Sequence, residues 1–389
     1  MSSTEWEGNY IKPSVELMKV LSSTNKLLFV NSPYTIAEVI ATLRGKKSID
    51  IKRALGLKNR IKVIELTEGA KVYLLTPPIG LTINFLPPAM YKLGLGFNAW
   101  LVRLTVKRAL RKLDMNHNLI HLVAFNPGMG LMNGRKYGEK SLIYHCYDEI
   151  SGCNAWLRKH GIWLEQAFMK MVDGAIVTSK KLYINKAPHV PHCFIVNNAA
   201  NYNLFSKGFH EGLTGQQVVG YIGTIDDRID YGVMEHLFMN MPDARFVFVG
   251  RILSQRGLAT LKKYTNVSVE GPKSPDELPA YLKTFSVGVI PFVNDTFTSC
   301  IYPMKINEYL AAGLPVVSTD FGDMSDFTGT VSITTTKENF LQHTLDEIAN
   351  DSPEKRQARQ DIVRQNTWAN RADEMSAAIV QIEQSMANK

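Results

Sequence analysis

The sequence predicts an α/β protein with two domains, each built on a parallel sheet. Short apolar runs alternate with longer mixed segments along the whole chain, a pattern that is typical of β-α-β units. At 389 residues the chain is also too long for one ordinary hydrophobic core, so two domains of about 150 to 200 residues are expected. An apolar content of 45% and a charged content of 21% are those of a globular protein.

The first domain is predicted to contain seven strands that form one sheet. In chain order their segments are Lys26–Asn31, Arg60–Leu66, Lys71–Thr76, Leu119–Phe125, Leu142–Tyr147, Gly174–Ser179 and Cys193–Asn198. The segment Asn203–Gln217 loses this periodicity and gains glycine, which indicates a boundary between domains. We therefore assign residues 1–205 to the first domain and residues 206–217 to an interdomain linker.

The second domain, residues 218–366, is predicted to contain five further strands. They are Val218–Gly223, Arg245–Gly250, Asn266–Gly271, Val287–Phe292 and Leu314–Thr319. Ligands of doubly wound sheets lie beyond the carboxyl ends of the strands, so Gly223, Gly250 and Gly271 are candidates for close approach to a ligand. Each could equally be an ordinary turn at the end of a strand. Residues 367–389 have helical character and are predicted to strap the two domains together.

The segment Ile301–Asp320 (IYPMKINEYLAAGLPVVSTD) couples a short helix to a buried strand. Pro303 suits the first position of a helix, and Ala311–Gly313 would end it in small residues. The small polar residues before it would offer backbone N–H groups at the helix start, where anions bind. Lys305 and Glu308 share one helix face, so they could contact a diphosphate and ribose hydroxyls. From spacing alone, an ordinary solvated ion pair stays open.

A basic amphipathic helix is predicted in the window between Glu68 and Asp114, which contains no acidic residue although the net charge of the whole chain is only +8. Two sets recur there at helical spacing: the apolar Phe97, Leu101 and Leu104, and the cationic Arg103, Lys107 and Arg111. With Trp100 placed at a headgroup boundary, this helix would bind an anionic membrane surface. The alternative is a core helix with a solvated basic face. Nucleic acid is not expected as a partner, because aromatic interleaving and groove-reading motifs are missing.

Three sequence features favour a cytoplasmic location. The four cysteines show no C-x-x-C spacing, so neither a zinc site nor a disulfide framework is indicated. The N-terminal MSSTEWEGNY carries acids and lacks the apolar core of a signal peptide. The longest uncharged run, Val72–Tyr91, contains four prolines, which argues against a membrane-spanning helix. Together with the basic helix, these features predict a peripheral protein on the inner face of the cell membrane.

Several blocks, in the expected order, resemble the GT-B glycosyltransferases, and the resemblance covers essentially the whole chain. They are VTSKKL and VNNAANYNLF (residues 177–205), GYIGTIDDRIDYGVMEHL (220–237), RFVFVGRI, NVSVEGPKSPDELPAYLKTFSVGVIPF, PMKINEYLAAGLPVVSTD and NTWANRADEM (366–375). This resemblance implies two Rossmann-like domains that face each other across a cleft. It also implies a C-terminal helix that crosses back to the N-terminal domain.

The resemblance further implies a nucleotide-sugar donor site in the second domain. Glu308 matches the second glutamate of the family-4 pair, which holds the ribose, and Lys305 lies where related enzymes place a diphosphate contact. The remaining donor-site candidates are Gly223, Thr224 and Arg228 near the phosphates, Gly250 and Arg251 beside them, Pro272 and Lys273 near the base, and Ser299, Tyr302, Pro303 and Met304 at the helix start. Arg228 is the weaker phosphate candidate, since it follows an acidic pair.

One departure from the family-4 pattern concerns the catalytic mechanism. The pattern has a glutamate eight residues before Glu308, whereas this sequence has Cys300. That shifts the likeness toward the subgroup resembling xanthan glucuronosyltransferase and the teichuronic-acid transferases, where an aspartate after a strand of the N-terminal domain can act as general base. Asp148 takes that position in YHCYDEISG, with Glu149 in reserve. A helix cap or a solvated acidic pair is the alternative.

The function implied by the resemblance is transfer of a sugar from a nucleoside diphosphate sugar, with UDP expected as the nucleotide. The expected acceptor is a membrane-associated, lipid-linked saccharide in polysaccharide biosynthesis. Neither a metal nor a cofactor besides the donor is expected. Two alternatives remain: a non-hydrolysing nucleotide-sugar epimerase, and a catalytically inactive membrane-bound partner of another transferase.

Overall fold

The computed structural model describes residues 1–2, 5–8, 10–66, 69–153, 155–212 and 215–387. It divides into two units: unit 1 comprises Met1–Gly8, Lys12–Val196 and Ala372–Lys389, and unit 2 comprises Asn9–Ile11 and Asn197–Arg371. The division after Val196 precedes the boundary predicted at residue 205. The predicted linker begins with a 3-10 helix, Ser206–Gly208, that belongs to unit 2.

Thirteen strands are found among the described residues. Those of unit 1 are β1 (Leu27–Val30), β2 (Ile61–Glu65), β3 (Lys71–Leu75), β4 (Ile120–Ala124), β5 (Ser141–Cys146), β6 (Gly174–Val177) and β7 (Cys193–Ile195). Those of unit 2 are β8 (Val218–Ile222), β9 (Arg245–Val249), β10 (Val267–Gly271), β11 (Val287–Ile290), β12 (Val316–Thr319) and β13 (Ser332–Thr334). All but β13 coincide with a predicted segment.

Helices alternate with these strands, as the α/β prediction requires. The first seven are α1 (Pro13–Leu21), α2 (Ile36–Leu43), α3 (Ile51–Ala54), α4 (Pro88–Lys112), α5 (Pro127–Asn133), α6 (Ala155–Met169) and α7 (Lys180–Lys186). They are followed by α8 (Tyr202–Phe205), α9 (Tyr231–Asn240), α10 (Gln255–Leu261), α11 (Leu278–Leu282), α12 (Met304–Ala311), α13 (Lys337–Ala349), α14 (Pro353–Val363) and α15 (Trp368–Ala387). The α/β fold class with parallel sheets is confirmed, apart from β2, which pairs with β3 in the antiparallel direction.

The strands of unit 1 form two sheets, and the prediction of a single seven-stranded sheet was wrong. One sheet has the order β1-β3-β2, and the other has the order β4-β5-β6-β7. Between them lies the short segment formed by Met1 and Ser2. The Ser2 N–H donates to the Val30 carbonyl at 3.2 Å, and the Ala124 N–H donates to the Met1 carbonyl at 2.8 Å. Apolar runs predict where strands lie but not which strands pair, so the sequence did not indicate this gap.

Unit 2 contains one continuous parallel sheet with the order β10-β9-β8-β11-β12-β13. Its central strands are buried on both faces, which explains their uninterrupted apolar sequences. The edge strand β13 has the three-residue sequence SIT. It is too short and too polar to produce that pattern, so the sequence did not predict it.

The turn from α12 into β12 sets the position of the helix that carries Lys305 and Glu308. Pro303 was predicted to be the first residue of this helix. It instead directly precedes α12. The chain reverses at Gly313, which has φ +76°, and a Cβ there would lie 2.9 Å from the Phe209 ring. Glycine is therefore required at this turn.

Candidate functional site

Two glycines end the neighbouring strands β8 and β9 and bring their backbones into close contact. Gly223 and Gly250 have φ values of +148° and +155°, and a Cβ on Gly250 would lie 1.9 Å from the Gly223 carbonyl oxygen. The Gly223 N–H donates to the Val249 carbonyl and the Gly250 N–H donates to the Gly271 carbonyl, each at 2.8 Å. The carboxyl edge of the sheet is thus bare backbone at this point, as was expected of a ligand-binding edge.

The side chain of Lys305 lies directly over Gly223. A Cβ on Gly223 would come within 2.2 Å of the Lys305 Cε, so a larger residue there would displace the lysine side chain. The Lys305 Nζ lies 5.5 Å from the centre of the Phe292 ring, and the Arg228 guanidinium lies 5.3 Å from the same ring. Burial, with a contribution from the nearby Arg228, lowers the pKa of Lys305 to about 8.

Glu308 lies one helical turn beyond Lys305 and is 8% exposed. Burial raises the pKa of its carboxyl group to about 7, although Lys305 acts in the opposite direction. Within the described part of the chain, no residue forms a hydrogen bond or an ion pair with the side chain of Lys305 or of Glu308. We call these two residues the unpartnered pair. Desolvated charges without partners are costly, and they occur mainly where a ligand supplies the partner.

Arg228, by contrast, already has a partner. Its Nη2 lies 2.7 Å from the Asp226 Oδ2, and its Nε lies 2.9 Å from the Asp226 Oδ1. The cation therefore stands beside Lys305 in a fixed orientation with its charge largely compensated, which agrees with its lower rank as a phosphate candidate. Thr224 lies just before this segment, and its carbonyl accepts a hydrogen bond from the Tyr221 hydroxyl at 2.9 Å.

The loop before α12 uses several of its backbone N–H groups internally, although Ser299 to Tyr302 were predicted to offer theirs to the diphosphate. Its bonds run from Ser299 to the Asp295 carbonyl at 3.0 Å, from Cys300 to Phe297 at 3.1 Å, from Ile301 to Thr298 at 3.0 Å and from Met304 to Tyr302 at 3.0 Å. Such turns depend on backbone conformation, which the small polar sequence did not specify. Pro303 has no N–H to offer. The Tyr302 side chain is buried, with its ring 5.7 Å from that of Phe327.

The remaining donor-site candidates lie in unit 2 but are not joined to the unpartnered pair by any contact among the described residues. Pro272 is exposed just after β10, and the Lys273 Nζ lies 5.5 Å from the centre of the Tyr281 ring. Arg251 is also exposed, with its guanidinium 5.6 Å from the Tyr10 ring. The structure thus concentrates the predicted site at Gly223, Lys305 and Glu308.

The two carboxylates predicted as bases, Asp148 and Glu149, follow β5 in unit 1 and have different surroundings. Glu149 is buried and lies 3.1 Å from the Lys186 Nζ, which also lies 2.8 Å from Glu165. Burial disfavours its charge, but Lys186, the Ser151 N–H and Asn185 together outweigh burial and lower the pKa of Glu149. Glu149 is therefore a structural anchor and not a reserve base. Asp148 is half-buried, as a residue that meets a substrate requires.

The cluster around Lys186 was not predicted from the sequence. We call Lys186, Glu149 and Glu165 the buried triad. Along the chain Lys186 is 37 residues from Glu149 and 21 residues from Glu165. Helix or strand periodicity does not relate residues so far apart. The Tyr144 hydroxyl donates to the second oxygen of Glu165 at 2.7 Å, which completes the network.

The exposed face of α4 is more apolar than predicted. An apolar stripe with helical spacing points to solvent, formed by Met90, Leu93, Phe97, Trp100 and Leu104. Leu93 is 77% exposed and Trp100 is 47% exposed. Lys107 and Arg111 are exposed beyond the stripe. No described helix is both long enough and apolar enough to span a bilayer.

Arg103 does not belong to that exposed surface. Its Nε donates to the Asn133 Oδ1 at 3.0 Å and its Nη2 donates to the Met132 carbonyl at 2.7 Å. The cation therefore binds the end of α5, and its contact with a membrane stays a prediction. The i, i+4 spacing of Arg103, Lys107 and Arg111 could not show that one of them donates hydrogen bonds to a neighbouring helix.

Comparisons with known proteins agree with this architecture. Residues 216–350, which include the unpartnered pair, match the family described as Glycosyl transferases group 1. Over 220 residues the chain is 27% identical to TuaH of Bacillus subtilis (strain 168), which is named as a glycosyltransferase of teichuronic acid biosynthesis. That match covers 51% of this chain and 55%, about half, of the length of TuaH.

Solved structures with low sequence identity share the fold over nearly the whole chain. The sucrose-phosphate synthase of Thermosynechococcus elongatus superimposes with a TM-score of 0.67 at 13% identity, covering 96% of this chain and 93% of that one. The catalytic domain of starch synthase IV from Arabidopsis thaliana gives a TM-score of 0.64 at 8% identity and covers 98% of both chains. Residues 216–350 thus match the glycosyltransferases of group 1, and the chain as a whole has the GT-B fold.

Proposed function

We propose that this protein transfers a sugar from a nucleoside diphosphate sugar, with UDP as the nucleotide, to a saccharide acceptor on a lipid carrier. The unpartnered pair is the observation that carries this proposal. It combines a desolvated cation over the bare glycine edge with a desolvated carboxylate one helical turn away, both within the segment that matches group 1. The name of TuaH, which refers to teichuronic acid, supports a role in polysaccharide biosynthesis.

The unpartnered pair has the chemistry that a nucleoside diphosphate needs. The Lys305 ammonium would stabilise the negative charge that develops on the leaving diphosphate, and the Glu308 carboxylate would accept hydrogen bonds from the ribose hydroxyls. Each group would gain in the complex the partner that it lacks in the free protein. Binding should therefore restore the full charge of both side chains.

Asp148 is proposed as the general base. As the acceptor oxygen forms its bond to the anomeric carbon, its proton would pass to the Asp148 carboxylate. The bond between the anomeric carbon and the diphosphate oxygen breaks, and the diphosphate leaves with the electron pair. We assign this step to Asp148 in preference to Glu149, which lies 3.1 Å from the Lys186 Nζ.

A thermal-shift panel of UDP-, GDP- and ADP-sugars, followed by a transfer assay with lipid-linked saccharides, tests the proposal. Stabilisation by UDP-sugars and acceptor-dependent release of UDP are expected. Conversion of the UDP-sugar without an acceptor would identify an epimerase instead. Absence of any nucleotide binding would identify an inactive partner protein.

The variant Asp148→Asn tests the assignment of the base. It should retain donor binding while transfer falls by about 10²- to 10⁴-fold, because a positioned base contributes on that scale. Donor affinity measured by calorimetry serves as the control for folding. A near-normal transfer rate would exclude Asp148.

We further propose that the exposed apolar stripe of α4 and its cations bind an anionic membrane surface on the cytoplasmic side. Each cation near such a surface contributes about 1 kcal/mol, so the double change Lys107→Gln and Arg111→Gln should weaken sedimentation with phosphatidylserine vesicles by about thirtyfold. The matched control removes two exposed cations of unit 2, Lys262→Gln and Lys263→Gln. Equal sedimentation of both variants with the vesicles would contradict the proposal.

A further inference from the structure

Helix α2 is apolar but buries no side chain in the core of unit 1. Its sequence IAEVIATL contains six apolar residues, and none of them is buried. Ile36, Ile40 and Leu43 are exposed, and their spacing of four and three residues places them on one side of the helix. We call these three residues the α2 stripe. A surface helix of a globular protein turns its apolar side toward the core, whereas Leu43 in this stripe is 76% exposed.

Polar contacts fix the orientation of α2. A capping box holds its start: the Glu38 N–H donates to the Thr35 Oγ1 at 3.4 Å, and the Thr35 N–H donates to the Glu38 Oε2 at 2.8 Å. The Glu38 carboxylate also binds the Lys47 ammonium. The Ile36 N–H donates to the Gly80 carbonyl at 3.1 Å. Glu38 follows Ile36 by two residues and so lies on the opposite side of the helix, which leaves the α2 stripe to solvent.

The chain that follows α2 is strongly basic. Residues 44–62 contain eight cationic residues and one acidic residue, Asp50. Asp50 is already bound by Arg53, at 3.2 Å. Arg44, Lys46 and Lys52 are exposed, and no described residue forms an ion pair or a hydrogen bond with the side chain of any of them. These three cations are therefore available to an anion outside the protein.

Two exposed leucines lie within the same basic stretch. Leu55 and Leu57 flank the turn at Gly56, which has φ +81°, and Leu57 is 75% exposed. Apolar and cationic side chains together suit the boundary of an anionic bilayer, where the apolar groups reach hydrocarbon and the cations meet phosphate. A soluble polyanion would use the cations alone. Single-stranded nucleic acid is bound through stacking on aromatic side chains, and residues 36–62 contain none.

The loop at residues 80–82 connects α2 to α4. The Ala37 N–H donates to the Thr82 Oγ1 at 3.1 Å. Asn98 of α4 accepts from the Leu81 N–H at 2.8 Å and donates to the Leu81 carbonyl at 3.0 Å. Leu81 is itself exposed, and so is Phe97 beside Asn98. Exposed apolar side chains therefore occur on α2, on this loop and on α4, which is the arrangement of an interaction surface and not of scattered single residues.

We propose that α2 and residues 44–58 form a second membrane-binding element of unit 1, which inserts the α2 stripe and Leu57 into the interface of an anionic bilayer. Arg44, Lys46 and Lys52 would pair with the anionic headgroups. This element does not depend on sugar transfer, and its residues are distinct from those proposed for α4. One line of contact leaves unit 1 free to tilt about that line, whereas two connected contacts fix which side of unit 1 faces the bilayer.

Sedimentation of the intact protein tests the element, with vesicles of phosphatidylcholine alone and of equal parts phosphatidylcholine and phosphatidylglycerol. Ile40→Ser with Leu43→Ser should weaken binding to the anionic vesicles by at least about tenfold, because two side chains lose their apolar burial. Arg44→Gln with Lys46→Gln should weaken it by about thirtyfold, since each cation near an anionic surface contributes about fivefold. Vesicles of phosphatidylcholine alone should bind the wild type far more weakly.

The matched controls change exposed residues on helices of unit 2. Met239→Ser with Ile362→Ser is the apolar control, and Lys262→Gln with Lys263→Gln is the cationic control. Neither should alter vesicle binding, and thermal unfolding midpoints should be equal in all variants. Equal vesicle binding of the α2 variants and their controls would overturn the proposal.

Hydrogen exchange of residues 36–46 separates this element from the one proposed for α4. At saturating anionic vesicles their exchange should slow both in the wild type and in the variant Lys107→Gln with Arg111→Gln. Unchanged exchange in the wild type would overturn the proposal for α2 and leave that for α4 intact. A loss confined to the Arg44 and Lys46 variant, with equally tight binding of heparin, would also overturn it and assign the surface to a soluble polyanion. So would dimerisation of the wild type that the Ile40 and Leu43 variant abolishes without any change in vesicle binding.

Discussion

The unpartnered pair of unit 2 and the buried triad of unit 1 contain the same residue types but differ in whether the protein supplies the partners. In the triad, Lys186 lies 3.1 Å from Glu149 and 2.8 Å from Glu165. In the pair, Lys305 and Glu308 lie on successive turns of α12, and no described residue bonds to either side chain. The triad is complete in itself, whereas the pair requires a ligand.

The pKa values show the same difference. Burial disfavours the charged form in both places. In the triad the mutual attraction of the charges prevails, so the pKa of Lys186 rises and that of Glu149 falls. In the pair burial prevails, which lowers the pKa of Lys305 to about 8 and raises that of Glu308 to about 7. Burial of a lysine and a glutamate together therefore does not by itself distinguish a structural cluster from a binding site; the bonding of their polar atoms does.

Removal of the central cation of the triad should have the largest effect on stability. Lys186→Met leaves two buried carboxylates without their counterion, so it should lower the free energy of unfolding by about 3 to 5 kcal/mol. Urea unfolding of the free protein measures this. The matched variant Lys305→Met removes a cation that has no partner and should cause no loss. Comparable losses in both variants would contradict the distinction.

Glu308→Gln should stabilise the free protein by about 1 to 3 kcal/mol above pH 7. The folded-state pKa of Glu308 is raised from 4.5 to about 7. Its favourable contribution is therefore fully present below pH 4.5 and is lost as the pH rises through 7, whereas glutamine does not titrate. Thermal unfolding at pH 5 and pH 8 measures the difference, which should appear only at the higher pH.

Glu149→Gln is the counterpart in the triad and should have the opposite sign. Its pKa is lowered, so its contribution is present above the ordinary value of 4.5 and is lost on acidification. A stabilising Glu149→Gln variant at pH 8 would show that the triad is not the structural cluster described here.

Affinity for a UDP-sugar should be highest between about pH 7 and pH 8. Below that range Glu308 becomes protonated, and above it Lys305 loses its proton. Calorimetry at pH 6 and pH 9 should show a decrease of about five- to tenfold on each side. Glu308→Gln should remove the acid limb, and Lys305→Arg, which stays charged, should remove the alkaline limb. A wild-type profile that is flat from pH 6 to pH 9 would contradict the assignment.

The smallest expected effect concerns two cations of α4, one with hydrogen-bond partners in the protein and one exposed. Arg103 bonds to the end of α5, so Arg103→Met should lower the free energy of unfolding by about 1 kcal/mol. Lys107 is exposed on the same helix, and Lys107→Met should stay within about 0.5 kcal/mol of the parent. Denaturant midpoints measure both. Equal values would indicate that the Arg103 contacts contribute nothing to stability.

Much of the fold could be predicted from the sequence, because buried strands of parallel sheets are continuous apolar runs. That is why β8, β9, β11 and β12 were located correctly. Which strands pair with each other was harder to predict from the sequence. The gap between β1 and β4 depends on which edges meet, and alternation along one strand contains no information about its neighbour.

The candidate site was predictable where it is local and unpredictable where it depends on tertiary contacts. Lys305 and Glu308 share a helix face, so their spacing and the family resemblance sufficed. The shared Phe292 ring and the passage of Lys305 over Gly223 join separate segments of unit 2. The ion pair between Glu149 and Lys186 also joins separate segments, so the sequence did not predict it. That ion pair is the reason why Glu149 is no longer a candidate base.

The central claim is that Lys305 binds the diphosphate of the donor, and calorimetric titration of the wild type and Lys305→Met with UDP and with uridine tests it most directly. Loss of a charge-assisted hydrogen bond weakens binding by about 1.5 to 3 kcal/mol, or about ten- to a hundredfold. We therefore predict a loss of affinity of this size for UDP and no change in affinity for uridine, which has no phosphate. Equal UDP affinity in the two proteins would contradict the account.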